Sequence, residues 1–211
     1  MENIIRIVML CVVALMTCSC SFAPLSPRVD AASIGKNEVK LESNFTPSPS
    51  LGILYGVTED IDIGVEFEQF ALGSVWARYS IINNPTGFSF AGNAGVFGST
   101  ANNRRSNGWY AGLLVSNQVS STVRLSAGYR HALLDYEYSL EDDYDWFNNL
   151  EFNNPDDASV NGQLELTLSI LLKPHVELAL GGVCQYLFKN KDPDNEDQLC
   201  IPTIGFSFYR L

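Results

Sequence analysis

Across most of this chain apolar residues recur at every second position, and nowhere does a helical spacing take over. Successive side chains of an extended chain point to opposite sides, so this pattern makes one face apolar and the other polar. Ile61, Ile63, Val65 and Phe67 alternate with Asp62, Gly64, Glu66 and Glu68. Val75, Ala77, Tyr79 and Ile81 alternate with Ser74, Trp76, Arg78 and Ser80. Val123, Leu125, Ala127 and Tyr129 do so with Arg124, Ser126, Gly128 and Arg130, and Leu164, Leu166, Leu168 and Ile170 with Glu165, Thr167 and Ser169. The pattern predicts an all-β chain of about ten antiparallel strands, eight being the smaller alternative. They fall near 34–45, 50–58, 61–71, 73–82, 86–98, 108–117, 121–139, 160–172, 174–188 and 200–210.

The connections differ in length. Thr58-Glu59-Asp60, Asn83-Asn84-Pro85, Gln118 to Ser120 and Lys173-Pro174 are short, whereas those after the fifth, seventh and ninth strands are long and polar. Tight turns on one rim and long loops on the other are the asymmetry of a single up-and-down transmembrane β-barrel. With ten strands both ends of the chain fall on the short-turn rim.

Alternation alone does not say which face is inside, because a soluble barrel alternates too, with its large apolar residues inward. The content of the polar face decides. It is crowded with small residues, among them Gly64, Ser80, Ala91, Gly95, Gly112, Ser126, Gly128, Ser169, Ala179, Gly181, Gly205 and Ser207, which suit a narrow interior better than an open surface. It also carries five cations (Lys36, Lys40, Arg78, Arg124, Arg130) against seven anions (Glu38, Glu42, Asp62, Glu66, Glu68, Glu165, Glu177). Facing lipid, such charges would cost roughly 2–4 kcal/mol each near the midplane. Paired in a lumen, Arg78, Arg124 and Arg130 can oppose Asp62, Glu66, Glu68, Glu165 and Glu177. The expectation is a membrane barrel with a largely plugged lumen. The alternatives are a narrow gated channel and a lipid-anchored periplasmic soluble barrel that binds a small ligand.

The first residues, MENIIRIVMLCVVALMTCSC, place one arginine before an apolar run too short to stay in a bilayer as a helix. The end of that run resembles a bacterial lipobox. Cys20, preceded by Ser19, is the expected lipidation site, with Cys18 as the alternative; cleavage after Ala23 is a third arrangement. This divides the chain into a signal peptide at 1–19, a lipidated Pro/Ser/Ala-rich tether at 20–33 and a barrel domain at 34–211. Ser21 following the lipidated cysteine implies, by the enterobacterial sorting rule, delivery to the outer membrane. Export would also leave Cys184 and Cys200 in an oxidising compartment, where an even pair permits one disulfide. The register expected for the last hairpin leaves them about three residues from direct opposition.

The chain as a whole resembles the small outer-membrane β-barrels, of which the membrane domain of outer membrane protein A is the familiar member. The phrase Tyr55-Gly-Val-Thr-Glu-Asp-Ile-Asp-Ile-Gly-Val65 is similar to a strand–turn–strand segment common in them. The resemblance implies a bacterial outer-membrane location and outer-membrane lipid as the surrounding partner. The C-terminus departs from it: Phe206 and Phe208 have the wrong parity for Leu211 in the usual assembly signal.

Two places stand out for function beyond the lumen. Glu141 to Ala158 reads EDDYDWFNNLEFNNPDDA, with no basic residue. Asp142, Asp143 and Asp145 interleave there with Tyr144, Trp146 and Phe147. Exposed aromatics among charges suit an extracellular or envelope protein partner. Carboxylates here, and Asp192, Asp194 and Glu196 in the last loop, are weak calcium candidates, because neither segment has the glycine and terminal glutamate of a calcium loop. No other metal spacing, phosphate loop or dinucleotide fingerprint occurs, and no cofactor is implied. The two histidines, His131 and His175, lie in no nucleophile motif, so no enzymatic activity is expected. A formal net charge of −11 argues against nucleic acid.

Overall fold

The computed structural model describes residues 30–46, 49–68, 72–99, 104–138, 159–188 and 197–209. Ten strands form one closed antiparallel barrel: β1 (Val39–Thr46), β2 (Ser50–Gly56), β3 (Ile61–Glu68), β4 (Leu72–Ile82), β5 (Phe88–Ser99), β6 (Arg104–Ser120), β7 (Val123–Tyr138), β8 (Ser159–Lys173), β9 (Val176–Phe188) and β10 (Asp197–Tyr209). Each strand pairs with its neighbours in sequence, and β1 closes the barrel against β10 through pairs such as Leu41 with Phe208. No helix occurs among the described residues. Closure leaves no strand edge unpaired, which is what a chain with so many extended segments needs in order to satisfy its backbone.

Three details differ from the sequence expectation. First, β1 begins at Val39, not near 34. Gly35 and Asn37 have φ of 95° and 62°, and this turn redirects the chain. Lys36 therefore sits exposed in a turn rather than on the inner face. Second, the connection between β5 and β6 is short, 100–103, because the ladder continues through Ser99 opposite Ser106. Third, β10 starts at Asp197, opposite Leu187, and this longer ladder brings Cys200 directly opposite Cys184. The two are joined in a disulfide, with Cα atoms 4.0 Å apart.

The polar residues point inward. Asp62, Glu66, Glu68, Lys40, Arg78, Arg130, Glu165 and Glu177 are all buried, as are Ser80, Ser126, Ser169 and Ser207. The interior also holds an apolar cluster of Leu54, Leu72, Trp76, Phe97, Tyr110 and Ala132.

Candidate membrane belt and luminal network

All ten strands present large apolar side chains to the outside, from Phe45 on β1 through Val75, Leu113 and Leu166 to Ile204 and Phe208 on β10. Among the described side chains inside the strands, the one exposed charge is Lys173, the last residue of β8 at the short-turn rim. The belt is graded. Tyr55, Tyr79, Phe88 and Phe208 lie towards the short-turn ends of their strands, and Phe45, Phe67 and Trp109 towards the other ends. Between them come aliphatic residues such as Ile53, Ile63, Val65, Leu113 and Leu166. Water tolerates exposed apolar patches of only a few hundred Å² on ordinary soluble proteins. An apolar band edged by aromatics matches hydrocarbon with an interface on each side.

The lumen is filled by two kinds of contact. At the short-turn mouth Arg78, 3% exposed, donates from Nε (2.9 Å) and Nη2 (2.6 Å) to Asp62 Oδ2, and Asp62 is fully buried. Arg78 Nη1 also donates to the carbonyl of Asp30 at 2.5 Å. Arg124 pairs with the Asp30 carboxylate and donates to Gln118 Oε1 (2.9 Å) and the Pro85 carbonyl (3.1 Å). On the opposite wall Lys40 meets Glu42 at 2.8 Å, and Tyr209 donates to Glu177 Oε2 at 2.5 Å. Deeper in, Arg130 Nη2 lies 3.5 Å from Glu165 Oε2, with its guanidinium carbon 5.0 Å from the centre of the Tyr110 ring. Glu66 and Glu68 also face inward, each engaged with neighbours.

The aromatic layer depends on glycine. A Cβ on Gly95 would lie 2.7 Å from Trp76 Cβ and from the Tyr110 ring, so the two large side chains fill what a third would need. Phe97 and Tyr110 stack with centroids 6.4 Å apart. Trp76 is inside, as its alternation with Val75 and Ala77 predicts, and it is joined there by Tyr110 and Phe97, which the sequence pattern did not single out. Parity was the available signal, since Phe97 shares its face with Ala91 and Gly95, and Tyr110 with Gly112.

The residue that sequence reasoning missed altogether is Asp30. Asp30 to Ser33, within the segment expected to be a tether, are buried in the short-turn mouth. Asp30 Oδ1 accepts from Ser116 Oγ at 2.9 Å, Ser80 Oγ donates to the Ala31 carbonyl at 2.8 Å, and Ser33 Oγ donates to Asp62 Oδ1 at 2.8 Å.

The two histidines lie apart from this network. His131 is on the outer face of β7, its Nδ1 3.4 Å from the hydroxyl of Tyr129, and His175 is exposed in the turn between β8 and β9. The expected lipidation cysteines Cys18 and Cys20, the loop residues Asp142, Asp143, Tyr144, Asp145, Trp146 and Phe147, and the calcium candidates Asp192, Asp194 and Glu196 lie outside the described residues. Among the described residues, no cluster of three or more His, Cys, Asp or Glu is arranged to hold a metal ion.

No family profile matches this chain, and no curated protein matches it in sequence. Among solved structures it is similar to the N-terminal β-barrel domain of Pseudomonas aeruginosa OprF. The match is 12% identical with a TM-score of 0.34, covering 83% of this chain and 98% of that domain.

Proposed function

We propose that this chain is a bacterial outer-membrane β-barrel, lipidated at Cys20, with a filled lumen and a structural or surface-interaction role. The observation that carries the membrane reading is the sidedness of the strands. Apolar residues face outward on every strand, while the charged and small polar residues face a closed interior. Inverting that arrangement, as a soluble barrel requires, would expose the Arg78–Asp62 pair and hide the aromatic-edged belt. The export signal expected from the N-terminal sequence supports the outer membrane over other bilayers, because strands rather than apolar helices cross there.

A lumen occupied by Trp76, Tyr110, Phe97 and the ion pairs favours a non-conducting barrel. Function then falls to the long loop after β7, where Asp142 to Phe147 combine carboxylates with aromatics suited to a protein partner in the envelope or outside the cell. The decisive test has two arms. Unboiled protein should migrate faster than boiled protein on SDS gels, as a closed barrel does. An epitope inserted near Asn149 should be reached by antibody on intact cells, and one near Glu59 should not. Equal migration with and without boiling rejects the membrane barrel. Exposure of the Glu59 site alone reverses its orientation.

A further inference from the structure

The segment from Asp30 to Ile34 lies inside the short-turn mouth without belonging to a strand. Among the described residues it joins no ladder, and the contacts that seat it are made by side chains of the mouth. Ser116 Oγ donates to the Asp30 carboxylate (2.9 Å) and accepts from the Ala31 amide (3.3 Å). Asp62 Oδ1 accepts from Ser33 Oγ (2.8 Å) and from the Ile34 amide (3.3 Å). The entry point is shaped for it. Gly35 takes a left-handed φ of 95°, and a Cβ on Gly56 would lie 1.8 Å from the Gly35 carbonyl oxygen.

We infer that Asp30–Ile34 is a releasable strap that closes the short-turn mouth, with the Asp30 carboxylate as its latch. The inference rests on the membrane-barrel reading, in which that mouth meets water. Release is feasible because both arginines of the mouth keep hydrogen-bond acceptors without the strap. Arg78 retains both bonds to the Asp62 carboxylate, and Arg124 retains Gln118 and the Pro85 carbonyl. The barrel is closed by β1 and β10 downstream of the strap, so no ladder breaks when it leaves. Space is already present. A cavity of about 430 Å³ lies beside the strap, walled on one side by Ala32 and Ser33 and on the other by Ser169, Glu177 and Tyr209. With Asp30 withdrawn, Arg124 loses the carboxylate it is ion-paired to, and the opened mouth, one negative charge poorer than the closed one, favours small anionic solutes over cations.

Ser126 provides the test. It faces inward on β7, one inward position beyond Arg124, it is buried, and its hydroxyl has no partner among the described residues. Full-length protein carrying Ser126→Cys, with the Cys184–Cys200 disulfide intact, would be reconstituted in phosphatidylethanolamine/phosphatidylglycerol vesicles and treated with a negatively charged, membrane-impermeant maleimide. Labelling would be counted above protein lacking the added cysteine. The strap predicts slow labelling, accelerated about tenfold by Asp30→Asn, which removes one charge pair. Ser116→Ala, which deletes two strap contacts without changing charge, should accelerate it by a smaller factor. A positively charged maleimide should gain less than the negative one. Should Asp30→Asn fail to fold, Ser116→Ala alone decides. Vesicle-bound, heat-modifiable protein whose labelling rate neither variant changes overturns the strap. Protein that neither floats with vesicles nor shows heat-modifiable migration overturns the membrane reading on which it depends.

Discussion

The mouth of this barrel and the lumen beyond it solve one problem by different means. Both must fill a narrow interior whose outside is committed to apolar side chains. At the mouth the filling is directional: Arg78, Asp62, Arg124 and Asp30 are joined by charge-assisted hydrogen bonds, and a fully buried carboxylate depends on its guanidinium. Farther in, the filling is steric: Trp76, Phe97 and Tyr110 pack into gaps that glycines leave. Directional filling should fail sharply when one member is lost, because the partner is stranded. Steric filling should fail gradually with added or missing volume.

The largest effect should come from the mouth. Arg78→Leu leaves Asp62 without its cation in a site closed to solvent, a loss of about 3–5 kcal/mol where water is excluded and less where it enters. Unfolding of the detergent-solubilised barrel, followed by the shift from the compact to the extended gel band, should show a clear fall in midpoint. Arg78→Leu combined with Asp62→Leu should recover part of it. An unchanged midpoint in the single variant would mean that the mouth is wet and its ion pairs ornamental, and the contrast with the deeper lumen would vanish.

Next in size is a test of the aromatic layer. Gly95→Leu drives a side chain into Trp76 and Tyr110, and overpacking of this kind costs about 1–3 kcal/mol. Gly92 is its control. It lies on the same strand facing outward, where an added Cβ would find only the Gly112 carbonyl at 4.0 Å. Gly92→Ala should therefore shift stability by less than about 0.5 kcal/mol. Equal effects at the two glycines would show that volume inside the barrel is not limiting.

The same contrast explains what the sequence made legible. Parity alone yields the strands and their two faces, so a closed antiparallel barrel and the inward set from Asp62 to Glu177 could be anticipated. Parity does not fix where a ladder stops. The polar stretch around Ser99 and Ser106 looks like loop, yet those residues pair because their neighbours do. It also does not fix register: the opposition of Cys184 and Cys200 required knowing that pairing extends back to Asp197. The strap was least visible. Asp-Ala-Ala-Ser has the composition of a linker, and only the three-dimensional convergence of Ser80, Ser116, Arg78 and Arg124 gives Asp30 a place inside.

Arg130 belongs to both regimes, and it gives the smallest and most discriminating test. Its guanidinium reaches Glu165 at 3.5 Å, longer than the pairs at the mouth, while also lying against the Tyr110 ring at 5.0 Å. Arg130→Leu should cost about 1–3 kcal/mol, below the Arg78 figure because the ion pair is looser and the stacked ring still finds an apolar neighbour. Glu165→Leu should cost a similar amount, and the double variant should cost less than the sum of the two. Arg130→Lys separates the contributions. It keeps a cation for Glu165 but gives up the flat face that covers Tyr110, since an ammonium on a flexible stem replaces a planar fork. If charge dominates, the lysine variant stays near the unmodified protein and the leucine variant falls. If packing against the ring dominates, leucine is the better replacement and lysine the worse. Additive losses for Arg130 and Glu165 would remove this pair from the luminal network and leave the directional chemistry confined to the mouth.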